Sequence, residues 1–319
     1  MKKALFLFDH YARTGYGIVS EQIVAHILEY YQKHDGIFMH IVATNYFGEI
    51  VVDTFGNSTI FVESGKLSQD VSRTPERLEQ DDFGRMVFLE RLQQTDYDLI
   101  FIMQDLGVIT PIIPVLADIK SKKKQENRKQ FKSIFYFPVD GEIPDRFFTG
   151  IEFFDEIITY TEYGRQQLVR YKASLKGKSS VIPHGVSLKD YHKIPEDEIQ
   201  KFRAEYFDDP GNKKYIIGAI NRNQPRKDIP ATIFGFVEAK QHWLDHLQAF
   251  PKPLLYLHMN PIDAKGWDLR LVLEQCGLVE GEDYMFPKSD DTNSQVDVAT
   301  MNKIYNSIDL YISTSRGEG

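Results

Sequence analysis

A chain of 319 residues is too long for one ordinary hydrophobic core and suits two domains. Its 42% hydrophobic and 26% charged residues belong to a globular protein, and a net charge of −8 argues against nucleic acid as the main partner. A single cysteine, Cys276, excludes an internal disulfide framework and fits a reducing cytoplasm, while no apolar run approaches the ~18–20 residues of a membrane-spanning helix.

Ala4–Phe8 predicts the first strand, because its apolar run after the basic start is too short for a secretory signal. The loop HYARTGYG (10–17) follows. Ile18, Val19, Ile23, Val24, Ile27, Leu28 and Tyr31 then recur on one helix face, with Gly36 as the stop. Strands are expected at 38–44 and 59–62, separated by a polar segment that gives no clear signal. A charged helical stretch at 76–94 leads to Leu99–Met103, a continuous apolar run typical of a parallel strand covered on both faces. A helix from 112 to 120, strands at 133–137 and 156–160, a helix around 162–172 and a strand at 180–183 complete a repeated β–α pattern. Such repetition argues for a doubly wound parallel sheet, since parallel neighbours need a crossover helix.

Residues 186–212 turn polar and read as a linker with a short charged helix, which puts the domain boundary near 190, separating 1–190 from 191–319. Strands at 215–220, 254–258, 283–286 and 309–313 then alternate with helices at 230–247, 267–276 and 299–306. This is a second, smaller Rossmann-like unit. The sequence stops just after a strand, at SRGEG, and the expectation is that the natural protein continues past Gly319.

The clearest chemical signal is YIIGAINRNQPRKD (215–228). A buried strand delivers a loop carrying Arg222 and Lys227, and Asp228 is expected to cap the next helix. Two cations and a helix N-terminus at the ligand edge of a sheet suit a diphosphate; a solvated basic turn is the plain alternative. Gly15 and Gly17 of TGYG lie between a strand and a helix, where small residues let a phosphate or sugar approach the backbone, though a tight structural turn has the same composition. His184 ends a strand near the domain boundary and reads as a cleft residue or a hinge. Asp140, in PVDGEIP, follows a strand and can accept a sugar hydroxyl hydrogen, or merely begin a turn. Glu318 stands between Gly317 and Gly319, where a carboxylate can accept hydroxyl hydrogens.

Asp96-Tyr97-Asp98 has the D-x-D form that metal-dependent sugar transferases use. It precedes its strand, whereas ligands of open α/β sheets bind beyond the carboxyl ends, so no metal site is expected there. No His/Cys cluster of ligand spacing, G-x-S-x-G or P-loop occurs. The basic stretches 120–132 and 162–178 read as solvated faces; the alternatives are a membrane or acidic acceptor for the first and an anionic membrane or lipid-linked acceptor for the second.

TGYG (14–17), IPHGVSLKDY (182–191), the R-x4-K of NRNQPRKD, LHMNPIDAKGWDL (257–269) and MNKIYNSIDLYISTSRGEG (301–319) occur in an order that resembles glycosyltransferase family 4. The resemblance implies a GT-B fold: two Rossmann-like domains facing a cleft, acceptor-side first and donor-side second. It implies transfer of a sugar, with retention, from a nucleotide-diphosphate sugar to a glycan, lipid or protein acceptor, without metal or other cofactor. Arg222 and Lys227 would hold the donor diphosphate, and Glu318, with Gly317 and Asn260, would meet the donor. Gly15 and Gly17 would close on its phosphate and sugar. His184 falls at a hinge that is often Asn. Where the family often carries a His facing the reacting sugar, this chain offers Asp140. The second Glu of the family's E-x7-E would lie beyond Gly319. The donor's base and sugar stay open. A nucleotide-sugar epimerase of the same fold and a non-catalytic nucleotide-sugar binding subunit are the alternatives. The implied location is cytoplasmic or peripheral to a membrane.

Overall fold

The computed structural model describes residues 1–12, 14–66, 81, 83–246, 250–287 and 296–317, and its chain divides into two compact units, residues 1–184 and 185 onward. In unit 1 the described residues form β1 (Lys2–Phe8), α1 (Gly15–Gln32), β2 (Ile37–Ala43), β3 (Val51–Phe55), β4 (Ser58–Ser64), α2 (Arg85–Gln94) and β5 (Leu99–Met103). They continue through α3 (Leu106–Ile109), α4 (Ile113–Gln125), β6 (Lys132–Phe137), β7 (Glu156–Thr159), α5 (Glu162–Tyr171) and β8 (Ser179–Val181). The strands make one sheet in the order β3-β4-β2-β1-β5-β6-β7-β8, parallel throughout except for the antiparallel β3–β4 pair.

The near-continuous apolar character of β1 follows from burial on both faces. Ala4, Phe6 and Phe8 pack with Val24 and Leu28 of α1 on one side, while Leu5 and Leu7 join Phe88 and Leu92 of α2 on the other. The hairpin strand β3 is absent from the sequence reading. Val52 through Phe55 are exposed along this edge, so no two-sided apolar run marks it. Its signal is the turn: Phe55 pairs with Ser58 around Gly56-Asn57, and Gly56 has φ +60°. Of the charged stretch expected at 76–94, residues 76–80 and 82 lie outside the described residues, and the helix runs over Arg85–Gln94.

The basic run 120–132 is less solvated than its composition implies. Lys123 is 2% exposed, and its ammonium donates to Asp96 Oδ1 at 2.7 Å and to the Thr95 carbonyl at 2.9 Å. Arg128 also binds Asp96, and Lys129 pairs with Asp98 at 2.8 Å. The two carboxylates of the D-x-D sequence thus hold the α4–β6 connection to the start of β5. These cations keep both carboxyls below the usual range, with Lys123 the leading cause at Asp96.

Unit 2 contains α6 (Glu196–Tyr206), β9 (Lys214–Ile220), α7 (Ile229–His246), β10 (Lys252–His258), α8 (Leu269–Gln275), β11 (Tyr284–Met285), α9 (Val298–Ser307) and β12 (Leu310–Tyr311). Its parallel sheet has the order β11-β10-β9-β12 among the described residues. Ile217, Ala219, Leu255 and Leu257 pack against α7 and α8, while Ile216, Leu254 and Tyr256 face α6 and α9. Arg203 of α6 reaches Asp209 at 3.2 Å and Asp309 at 3.2 Å, and Asp309 accepts the Ile216 N–H, so one buried guanidinium joins α6 to the entries of β9 and β12.

Candidate functional site

Each unit has a group of hydrogen-bonded polar side chains where its strands end. In unit 2 the loops after β9, β10 and β12 are bound to one another. Asn223, 1% exposed, donates to the carbonyls of Asn260, Pro261 and Trp267 and accepts the Trp267 N–H at 3.0 Å. A Cβ on Gly266 would lie 2.3 Å from the Asn223 carbonyl oxygen, so glycine is what lets the two loops close. On the other side, Thr314 donates to the carbonyls of Lys227 and Asp228 at 3.0 and 2.9 Å, and the Arg316 N–H donates to the Arg226 carbonyl.

This frame presents cations. Arg222 has a side chain 65% exposed and donates through Nε to Asp263 Oδ2 at 3.0 Å. The Lys265 N–H and Arg222 together hold the Asp263 carboxyl below the usual range. Arg226 Nη1 donates to the Gly317 carbonyl at 2.7 Å, and Arg316 binds Asp228 Oδ2 through Nε and Nη2. Lys227 is half-buried in the short turn Pro225–Lys227.

The local start of α7 differs from the sequence expectation. Asp228 has φ +47° at the end of the Pro225–Lys227 turn, and its carboxylate is engaged by Arg316. Pro230 has no N–H, and the Ala231 N–H already donates to the Asp228 carbonyl at 2.9 Å. The turn therefore offers side-chain cations more than free helix amides. Asn260 is exposed, but its Oδ1 accepts the Ile262 N–H at 3.0 Å and shapes its own loop. Glu318 lies outside the described residues.

In unit 1 three adjacent strands end in a buried polar knot. Asp9 after β1 is 2% exposed; it accepts from Thr44 Oγ1 at 2.9 Å, Asn45 Nδ2 at 2.7 Å and Thr14 Oγ1. Gln104 after β5 donates to Thr44. Thr14 in turn caps α1 by accepting the Gly17 N–H at 2.9 Å. A Cβ on Gly17 would lie 1.8 Å from the Ala12 carbonyl oxygen, whereas one on Gly15 would meet nothing within 4 Å. Gly17 is consumed by packing, and Gly15 faces open space. His10 is buried beside Ser20, and burial pushes its pKa down to about 4.

Beyond this knot lies an aromatic and carboxylate group that the sequence reading missed. Tyr16 donates to Asp105 Oδ1 at 2.6 Å. Burial, reinforced by Asp105, raises the Tyr16 pKa. Asp105 occupies the cap position of α3 without capping it, which leaves the carboxylate for Tyr16. The His184 ring lies 3.9 Å from that of Tyr160 and 5.6 Å from that of Tyr136, and burial lowers its pKa. The Tyr160 hydroxyl is buried close to that of Tyr16 and has no partner of good hydrogen-bond geometry among the described residues. Asp140 follows β6 and is exposed. Thus Gly15, Gly17, Asp140 and His184 share the carboxyl edge of unit 1, while Arg222, Lys227, Asn260 and Gly317 share that of unit 2. Among the described residues, no group of three or more His, Cys, Asp or Glu side chains is arranged to hold a metal ion.

Two Rossmann-like α/β units with polar strand ends define the GT-B class of fold. Solved structures agree. The chain is similar to an E. coli trehalose-6-phosphate synthase bound with UDP-2-fluoro glucose, at 14% identity and a TM-score of 0.60, covering 99% of this chain and 78% of that one. It is similar to sucrose-phosphate synthase from Thermosynechococcus elongatus, at 13% identity and a TM-score of 0.62, covering 99% and 75%. A UDP-forming α,α-trehalose-phosphate synthase from Burkholderia xenovorans gives 12% identity and a TM-score of 0.58, covering 99% and 78%. At such identities the likeness is one of fold. No protein-family model and no curated protein matches the chain.

Proposed function

We propose that this chain is a retaining, metal-independent glycosyltransferase of the family 4 kind, which moves a hexosyl group from a nucleotide-diphosphate sugar to a hydroxyl acceptor. The observation that carries the reading is the loop after β9, which presents Arg222 and Lys227 at the carboxyl edge of a parallel sheet, where ligands of such folds bind. It is supported by the fold likeness to a synthase bound with UDP-2-fluoro glucose and to trehalose-6-phosphate synthase studied for glycosyl transfer with retention.

In this reading Arg222 and Lys227 bind the donor diphosphate and stabilise the charge that grows on the departing nucleotide. Asp263 holds the Arg222 side chain in place until the donor arrives. The acceptor oxygen forms its bond to the anomeric carbon as the bond from that carbon to the phosphate oxygen breaks. The acceptor proton passes to the leaving phosphate on the same face. Asp105, set by Tyr16, and exposed Asp140 are the unit 1 carboxylates suited to orient acceptor hydroxyls. His184 and Gly15 complete that edge, and Glu318 and Gly317 contact the donor sugar.

A panel of nucleotide-diphosphate sugars should raise the melting temperature for at least one donor, because a ligand bound only to the native state stabilises it. No shift across the panel would contradict the reading. A non-catalytic nucleotide-sugar binding subunit is the second reading, favoured by Asp140 standing where the resembled family often carries a His. Tight donor binding with neither transfer nor hydrolysis would select it.

A further inference from the structure

The loop between β10 and α8 holds a large aromatic side chain outside the core. Trp267 is 44% exposed and Ile262, on the same loop, is 59% exposed. Burial in the unit 2 core does not account for either. Yet the loop is tightly fixed: Asn223 binds both the N–H and the carbonyl of Trp267, at 3.0 and 2.7 Å, and Ile262 bridges to Asp268 across the loop. Asn223 directly follows Arg222, whose Nε is bound to Asp263 of the same loop. The exposed indole and the exposed guanidinium are thus carried on one rigid pair of loops.

Strand order gives the indole a side. The sheet runs β11-β10-β9-β12, so the Trp267 loop lies on the β10 side of the Arg222 loop, while Arg316 and Gly317 follow β12 on the opposite side. A diphosphate held at Arg222 and Lys227 has two substituents. If the sugar lies toward the β12 side, near Gly317, the nucleoside extends toward β10.

We propose that Trp267 is a specificity-determining residue whose indole, with Ile262 beside it, forms the wall on which the donor's nucleobase stacks. The proposal rests on the donor reading of the β9 loop. An exposed aromatic on a fixed loop is a low-entropy stacking surface, and its apolar partner adds area without demanding a hydrogen-bond pattern. Base stacking of this kind recognises the nucleoside half of the donor and is blind to the diphosphate.

The chain has two tryptophans, and Trp243 is half-buried in α7 with its indole N–H out of solvent, so a fluorescence change on ligand addition is assigned by comparison with W267F. The experiment titrates UDP, ADP, GDP and inorganic pyrophosphate into the wild-type chain, W267A, W267F and R222A, reading fluorescence and calorimetric affinity. The proposal expects at least one nucleoside diphosphate to alter the fluorescence. W267A should weaken that nucleotide by roughly tenfold and leave pyrophosphate unchanged. W267F should keep near wild-type affinity and lose the fluorescence change. Unchanged pyrophosphate binding by W267A also verifies its fold. Wild-type nucleotide affinity in W267A, with R222A still impaired, would overturn the stacking role and spare the donor reading. Binding of none of the four probes, or their indifference to R222A, would overturn both.

Discussion

The turn after β1 and the turn after β9 are built on the same strand–loop–helix plan and end in opposite chemistry. After β1 the polar groups face inward: Asp9 is saturated by Thr14, Thr44 and Asn45, and Gly17 lets the helix close against Ala12. After β9 the interior bonds are made by Asn223 and Thr314, which leaves Arg222 directed outward with a side chain 65% exposed. A ligand edge needs a rigid base and an available charge. Unit 2 assigns those tasks to different residues of one loop. Unit 1 spends its loop on rigidity, and its further polar groups stand at the neighbouring strand ends, where Asp105 accepts from Tyr16 and His184 packs on buried Tyr160.

That contrast can be broken at several points. Asn223→Ala should have the largest effect on folding, about 3 kcal/mol in a denaturant titration, because several backbone groups of the 260–267 loop lose their partner at once. A loss below about 1 kcal/mol would mean that the loop is held by something else. Gly17→Ala should destabilise by roughly 2–3 kcal/mol through the clash at Ala12. Gly15→Ala should leave the melting temperature unchanged, since a Cβ there meets nothing within 4 Å.

The His10 knot predicts a pH dependence. Its folded pKa is lowered from 6.5 to about 4, so below about 6.5 the unfolded chain takes up a proton that the native chain refuses. Stability from this group is complete above pH 6.5 and is lost as the pH falls toward 4, by up to about 3 kcal/mol. His10→Gln should flatten that part of the stability–pH curve. Asp263→Asn should have a small effect. An ion pair this open to solvent should change stability by less than about 1 kcal/mol while loosening Arg222, so donor KM should move more than the melting temperature.

The sequence reading succeeded where burial writes a pattern. β5 was legible to the residue because Leu99–Met103 is covered on both faces, and α1 because its apolar stripe is regular. β3 was not, because an exposed edge strand carries mixed residues and only its Gly56-Asn57 turn betrays it. The cations of unit 2 were visible by spacing. Their frame was not, since Asn223 reaches Trp267 over 44 residues and Thr314 reaches Lys227 over 87. Tyr16–Asp105 spans 89 residues and joins two motifs that look ordinary apart. The capping role expected of Asp228 gave way to Arg316, a partner 88 residues distant. In each case short-range pattern located the element, and a long-range hydrogen bond decided the side chain's task.

The central claim is that the β9 loop carries the donor diphosphate and stabilises its departure. Turnover of Arg222→Ala at saturating nucleotide sugar tests it most directly, with the melting temperature as the control for folding. The expected result is a fall in kcat of roughly 100- to 1000-fold, comparable with loss of one transition-state donor, at an unchanged melting temperature. Unchanged kcat in a folded Arg222→Ala chain would contradict the account.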